Sequence, residues 1–183
     1  MSLPKRSDAI ELLRKVGCGQ NIIEHCIGVT ALALEIAEAC KRQGVKVNLK
    51  LVEIGALLHD IGRSTTHSVE HGVIGGLIAR ELQLSEEIAR IVERHVGGGI
   101  TVDEAVKLGL PAKDYTPTTL EEKIVCYADK LIDGDKRVDL EDTIQKFSME
   151  LGKKHPSIDR LRALQTEIAE ITDHRFQPSS KED

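Results

Sequence analysis

Residues 48–63 read NLKLVEIGALLHDIGR. Asn48 is a residue type that caps helix N-termini, and Leu51, Ile54, Leu57 and Leu58 recur behind it at helical spacing. The run IGALL before His59 is almost wholly apolar, so the predicted helix is buried and ends in a His-Asp pair. Consecutive helical side chains point about 100° apart. At a helix end, however, the backbone can turn both toward one ion. Gly62 can take the backbone angles of a C-cap, and Arg63 lies just past the pair.

Working outward, helical spacing continues almost throughout, which predicts an all-α single-domain bundle. Upstream, a long helix is expected from about Asn21 to Gln43, with Ile22, Val29, Leu32 and Ile36 on one face and Gly44 ending it. A first helix covers about Ser7 to Val16, opened by an Asp8/Glu11 capping box and closed by Gly17 and Gly19. Downstream, helices are predicted near 68–82, 85–95 and 102–109, the last opened by a Thr101/Glu104 box. Pro111 and Pro117 mark a loop, and Thr118/Glu121 opens a helix through about Ile132. Two more follow near 139–151 and 158–175. The one candidate strand, Val45 to Val47, is too short to matter, and the tail from Gln177 is expected to be disordered. The expected layout is an N-terminal helix (1–19), a core (20–137) with an inserted segment (100–119), C-terminal helices (138–176) and a tail (177–183).

Composition narrows the function. Among the 183 residues the net charge is −5, so a general nucleic-acid or membrane-surface binder is not indicated. Tyr115, Tyr127, Phe147 and Phe176 are the only aromatic residues, too few for a single-strand binder that stacks successive bases. Cys18, Cys26, Cys40 and Cys126 contain no C-x-x-C pair, and Cys26 and Cys40 fall in an apolar helical pattern as small core residues. With no signal peptide and no apolar stretch long enough to span a bilayer, a cytoplasmic protein with reduced thiols is expected.

The chemistry is carried by polar residues inside apolar stripes. His25 sits between Ile22 and Val29; His71 precedes Ile74 and Ile78; His95 follows Ile88, Ile91 and Val92; Asp129 lies between Val125 and Ile132. A buried carboxylate without a partner costs several kcal/mol or more. Six imidazole and carboxylate groups pointing inward, with His59 and Asp60 included, are most economically explained by shared cations. Read singly, each His could instead be a core histidine bonded to a carbonyl.

The string LLHDIGR, Leu57 to Arg63, resembles the signature of the HD superfamily of metal-dependent phosphohydrolases. EHCIGVTALALEIA around His25 and IVCYADKLID around Asp129 extend the match from about residue 20 to 137. The resemblance implies that His25, His59, Asp60 and Asp129 bind a first metal. HSVEHGVIGGLIARELQLSEEIARIVERHVGG, followed by LEEKIVCYADKL, is similar to the bacterial HD-domain hydrolases that cleave diadenosine tetraphosphate. Val96 stands where those hydrolases usually have Thr, and the segment 100–119 lengthens the path to the Asp129 helix. That segment is expected to form a helix and loop over the site.

The resemblance further implies that His71 and His95 help hold a second ion. The reading is two divalent ions (Mn, Fe, Co, Ni, Zn or Mg) with Asp60 bridging, and a water between them activated for attack on phosphorus. A one-ion version leaves His71 and His95 to contact phosphate or donate a proton. Arg63 is expected to clamp phosphate oxygens, and Lys130 and Arg137 to neutralise substrate charge. Gly97 to Gly99 follows a helix C-terminus and reads as a turn. The expected substrate is a small phosphorylated metabolite, a nucleotide or dinucleoside polyphosphate. The alternatives are a cyclic or RNA-like phosphodiester, oxidation by two irons in an HD-type oxygenase, and a non-catalytic sensor.

Overall fold

The computed structural model describes residues 3–134, 136–173 and 176, and the expected tail from Gln177 lies outside them. Among the described residues nine α-helices follow one another: α1 Arg6–Lys15, α2 Gln20–Arg42, α3 Leu49–Leu58, α4 His71–Glu81, α5 Glu86–Arg94, α6 Val102–Lys107, α7 Leu120–Asp129, α8 Leu140–Leu151 and α9 Pro156–Thr172. The fold is all-α, as the spacing predicts. No strand forms at Val45–Val47; the described strands are two-residue pieces, β1 Ile132–Asp133 and β2 Lys136–Arg137, paired antiparallel. They follow because α7 ends at Asp129 rather than at Ile132.

The centre of the bundle is α3, which packs on α1, α2, α5 and α7. Its burial is correspondingly all-round: Leu51, Val52, Ile54, Gly55, Ala56, Leu57 and Leu58 are all buried. A helix that is apolar nearly all round is stable where other helices cover it, at the centre of a bundle. The Asn48 side chain accepts from the Leu51 amide at 3.1 Å and sets the start of α3. The long helix α2 lays Cys26, Val29, Ala33, Ile36 and Cys40 against it, and all four cysteines are buried free thiols.

Two capping expectations change register. Ala9 N already bonds to Lys5 O at 3.0 Å, so α1 starts at Arg6 and no side chain caps it. Asp8 therefore lies within the first turn and forms no box with Glu11. The α7 box uses Thr119 and Glu122 instead of Thr118 and Glu121. Glu122 also takes Arg94 at 2.8 Å and Arg90 at 3.3 Å, and these ion pairs select the register. The Thr101/Glu104 box of α6 forms as expected.

Glycine sets a close helix contact. A Cβ on Gly75 would lie 2.6 Å from Val92 Cγ1 and one on Gly76 2.3 Å from Glu93 Cγ. Their absence lets α4 and α5 approach closely. Gly62 has the same role, not the C-cap role expected: it sits in a 3-10 turn, Ile61–Ser64, where a Cβ would meet the His71 carbonyl at 1.9 Å.

The segment 100–119 folds back on itself, with Ile100 and Tyr115 exchanging backbone hydrogen bonds of 3.4 and 2.8 Å. Ile100, Ala105, Leu110 and Tyr115 form a small second core against Val69, Val73 and Val96. Among the described residues, no helix is long and apolar enough to cross a membrane.

Candidate metal centre

Five of the six inward-facing groups stand at helix ends. His59 is the C-cap of α3 and Asp60 follows it; His95 is the C-cap of α5; Asp129 is the last residue of α7; His71 is the first of α4. His25 lies in the second turn of α2. Three helix C-termini thus converge, and their exposed carbonyl dipoles favour positive charge between them.

The imidazoles are held by one repeated device. Nδ1 of His59 donates to Ala56 O, that of His71 to Ser68 O and that of His95 to Val92 O, each at 2.7 Å and three residues back. His25 Nδ1 donates to Gly134 O at 3.0 Å. A carbonyl can only accept, so each neutral ring keeps its proton on Nδ1 and turns a lone pair on Nε2 toward the centre.

Those lone pairs meet one another and the carboxylates. His71 Nε2 is 3.0 Å from His95 Nε2, and both are 3.3 Å from Asp60 Oδ1. His25 Nε2 lies 2.9 Å and His59 Nε2 3.4 Å from Asp129 Oδ1. Asp60 faces both sets, since its Oδ2 is 3.7 Å from His59 Nε2. His59 Nε2 and Asp60 Oδ1 are buried with no hydrogen-bond partner. Unpaired acceptors converging in a buried site are costly unless a cation lies between them. The donor set, imidazole nitrogen and carboxylate oxygen without thiolate, suits a divalent ion. His25, His59 and Asp129 form one such group and His59, Asp60 and His95 another, each with its ligand atoms within 4.8 Å of one another. His71 adjoins the second through His95.

The electrostatics agree. Burial, reinforced by His95, pushes His71 down to about 3, and burial also lowers His95, so both keep their lone pairs free near neutral pH. Burial opposes ionisation of Asp60 and Asp129. His59 and His95 nevertheless hold Asp60 well below the ordinary carboxylate range, as Lys130, His25 and His59 hold Asp129. For His59 burial works against a proton, yet Cys26, Asp60 and Asp129 raise it well above its ordinary value. The two anions call for a positive charge at this point.

The centre opens into a cavity of about 340 Å³ lined by His25, Arg63, His71, His95, Asp129 and Lys130. Arg63 Nε donates to Asp60 Oδ2 at 2.6 Å, so this side chain steadies Asp60 while bordering the cavity. Lys130 is buried and pairs with Asp129. Arg137 is not brought to the cavity: it pairs with Glu35 at 3.2 Å and donates to Phe176 O. The segment 100–119 does not line this cavity either, and so does not roof the centre. Instead α8, which sequence spacing did not associate with the site, supplies Thr143, Lys146 and Phe147. An amphipathic helix far along the chain carries no local signal of the cavity it borders.

Residues 22–133 match the HD domain family. This chain belongs to that family. An uncharacterised protein of Methanocaldococcus jannaschii is 54% identical over 160 residues, covering 87% of this chain and 94% of that protein. A tRNA (cytidine(56)-2'-O)-methyltransferase of Picrophilus torridus is 37% identical over 169 residues, covering 92% of this chain and 48% of the enzyme. Ribonuclease Y of Thermosipho melanesiensis is 32% identical over 154 residues, 80% of this chain and 26% of the ribonuclease. The HD-domain chain therefore spans nearly the whole Methanocaldococcus jannaschii relative, about half of the methyltransferase and about a quarter of the ribonuclease. These likenesses show the HD family; they do not show the finer likeness to diadenosine tetraphosphate hydrolases.

Proposed function

We propose that this HD-domain chain is a divalent-metal-dependent phosphohydrolase acting on a phosphate ester of a nucleotide. The observation that carries the reading is the convergence of four Nδ1-anchored imidazoles on Asp60 and Asp129, with His59 Nε2 and Asp60 Oδ1 unpartnered. His25, His59, Asp60 and Asp129 would hold one ion, and His71 and His95, with Asp60 shared, a second. Bound there, divalent ions supply Lewis acidity and lower the pKa of water into the physiological range.

The chain's own residues do the rest. Asp60, kept ionised, would orient the attacking water by accepting a hydrogen bond from it. Arg63, already fixed by Asp60, presents its remaining guanidinium N–H groups to phosphate oxygens as charge builds on them. Lys130 places a second positive charge beside Asp129 at the cavity wall. Nucleotide esters are favoured because the HD segments of ribonuclease Y and the tRNA methyltransferase belong to proteins whose names concern RNA. The net charge of −5 and a cavity of about 340 Å³ suit a small substrate better than an extended RNA backbone.

The test is product release from nucleoside monophosphates, cyclic nucleotides and dinucleotides under several divalent ions. Turnover with at least one cation is expected, with ¹⁸O from labelled water on the phosphate product and loss of turnover in His59→Ala. No turnover of any phosphoryl compound, with oxygen consumed under iron, would replace hydrolysis by oxidation.

A further inference from the structure

A second cavity, also of about 340 Å³, adjoins the metal cavity, and the two share Val96, Gly97 and Phe147 as a wall. Val96 and Gly97 follow directly on His95, so this wall stands within about 7 Å of chain from a candidate ligand. The surfaces of the second cavity are apolar: Val69, Val96, Ile100, Leu108, Phe147 and Leu151. Polar groups stand among them from Glu104, Lys107, Glu150, His155, Ser157 and Arg160, two carboxylates against two cations. The Nε of Arg160 is buried without a hydrogen-bond partner, while its Nη2 is taken by Gly99 O and Glu104.

This composition selects its occupant. Apolar walls, with the two carboxylates balanced by Lys107 and Arg160 and hence no net positive charge, disfavour a second phosphate or a hydroxyl-rich sugar, which would be desolvated there without compensation. A flat heteroaromatic ring is apolar on its faces and polar at its edge. It can lie against Phe147 and the aliphatic walls and give ring or amino N–H to the Glu150 carboxylate. Resting on the phosphohydrolase reading, we infer that this cavity, floored by Phe147 and bounded by α6, α8 and α9, is a nucleobase subsite. The base of the substrate occupies it while the phosphate reaches the metal cavity over Val96 and Gly97. The segment 100–119 thus contributes to substrate selection, through Ile100, Glu104 and Leu108, without covering the metal centre.

The probe is adenosine, a base and sugar without phosphate, titrated into the full chain by calorimetry. Binding is expected in the unaltered protein and in Asp60→Ala, and at least tenfold weaker in Leu108→Glu. Leu108 is 48% exposed, so the substitution is tolerable to the fold, and Leu151→Glu, also at a position 48% exposed, repeats the test from α8. In turnover, the ratio of kcat/KM for adenosine 5′-monophosphate over ribose 5-phosphate should fall about tenfold in either variant. Hydrolysis of ribose 5-phosphate as fast as that of the nucleotide, with no adenosine binding, would overturn the subsite and leave the phosphohydrolase standing. A preference for long-chain alkyl phosphates over nucleotides would also overturn it. Adenosine binding that Leu108→Glu weakens, with no phosphoryl turnover anywhere, would sustain the subsite and remove the hydrolase.

Discussion

Asp60 is the residue through which the two halves of the cluster meet, with Oδ1 toward His71 and His95 and Oδ2 toward His59 and Arg63. Asp60→Asn preserves volume and removes the charge that both halves share. Bound metal, read by elemental analysis, should fall in Asp60→Asn, and turnover should drop at least about 100-fold, the upper range for losing even an outer-shell partner. Helix content by circular dichroism should be kept; a fully metallated, fully active Asn variant would remove Asp60 from the centre. Arg63 separates from the ligands in a different way. Arg63→Ala removes a support of Asp60 together with a phosphate contact, whereas Arg63→Lys restores charge without the fork. The rate constant kcat is expected to fall about 100-fold in the Ala variant with metal retained, and the Lys variant should recover only part of it. Unchanged kcat in Arg63→Ala would reduce the residue to a surface cation.

At the scale of elements, the inward-facing candidates were legible because polar residues sit within or at the end of apolar helical stripes, as His95 does behind Ile88, Ile91 and Val92. What spacing could not convey was the contact that makes them a cluster. His71 and His95 come within 3.0 Å only because Gly75 and Gly76 let α4 settle on α5. Such a contact belongs to two helices at once and leaves no trace in the periodicity of either. Gly76→Ala should therefore cost about 1–3 kcal/mol in urea unfolding, as overpacking does. It should also lower metal occupancy more than a comparably destabilising change on α1. The capping register of α7 was ambiguous for a related reason: Thr118, Thr119, Glu121 and Glu122 satisfy the box in two frames, and only the Arg90 and Arg94 pairs decide. Burial opposes ionisation of Glu122, but the Thr118 and Thr119 amides and Arg94 hold its pKa below the ordinary value. A depressed folded-state pKa gives stability that is present above the unfolded pKa and lost as pH falls through the folded one. Acid unfolding should accordingly show a loss of stability below about pH 4 that Glu122→Gln flattens. The same variant should be less stable at pH 7, by about 1–2 kcal/mol, because the half-buried Arg90 and Arg94 lose a charged partner but keep some access to water.

The whole molecule explains why the centre sits where it does. A bundle arranged around α3 brings the C-termini of α3, α5 and α7 to one end, and α8 closes the side of the cavity that the HD core leaves open. The core was readable from spacing, whereas the placement of α8 follows from long-range packing. On the metal reading, the same concentration of buried acceptors would make a bound ion part of the stability. Without a cation, Asp60 and Asp129 face three lone-pair nitrogens, and the cluster must recruit a proton onto His59. A cation that binds the folded chain alone stabilises it by RT ln(1 + [L]/Kd), about 2.7 kcal/mol at a hundredfold excess over Kd. For a chain of this size that corresponds to a rise in Tm of about 5–10 °C. Thermal melts before and after chelation should show this shift, and the shift should saturate with added Mn or Co. His59→Ala should abolish the metal-dependent rise while leaving the chelated melting point close to that of the chelated parent, because the substitution removes an unpartnered buried atom along with a ligand. A parent Tm indifferent to chelation and to added cations would show that the converging acceptors are satisfied by protons and water, and the metal reading would fall with it.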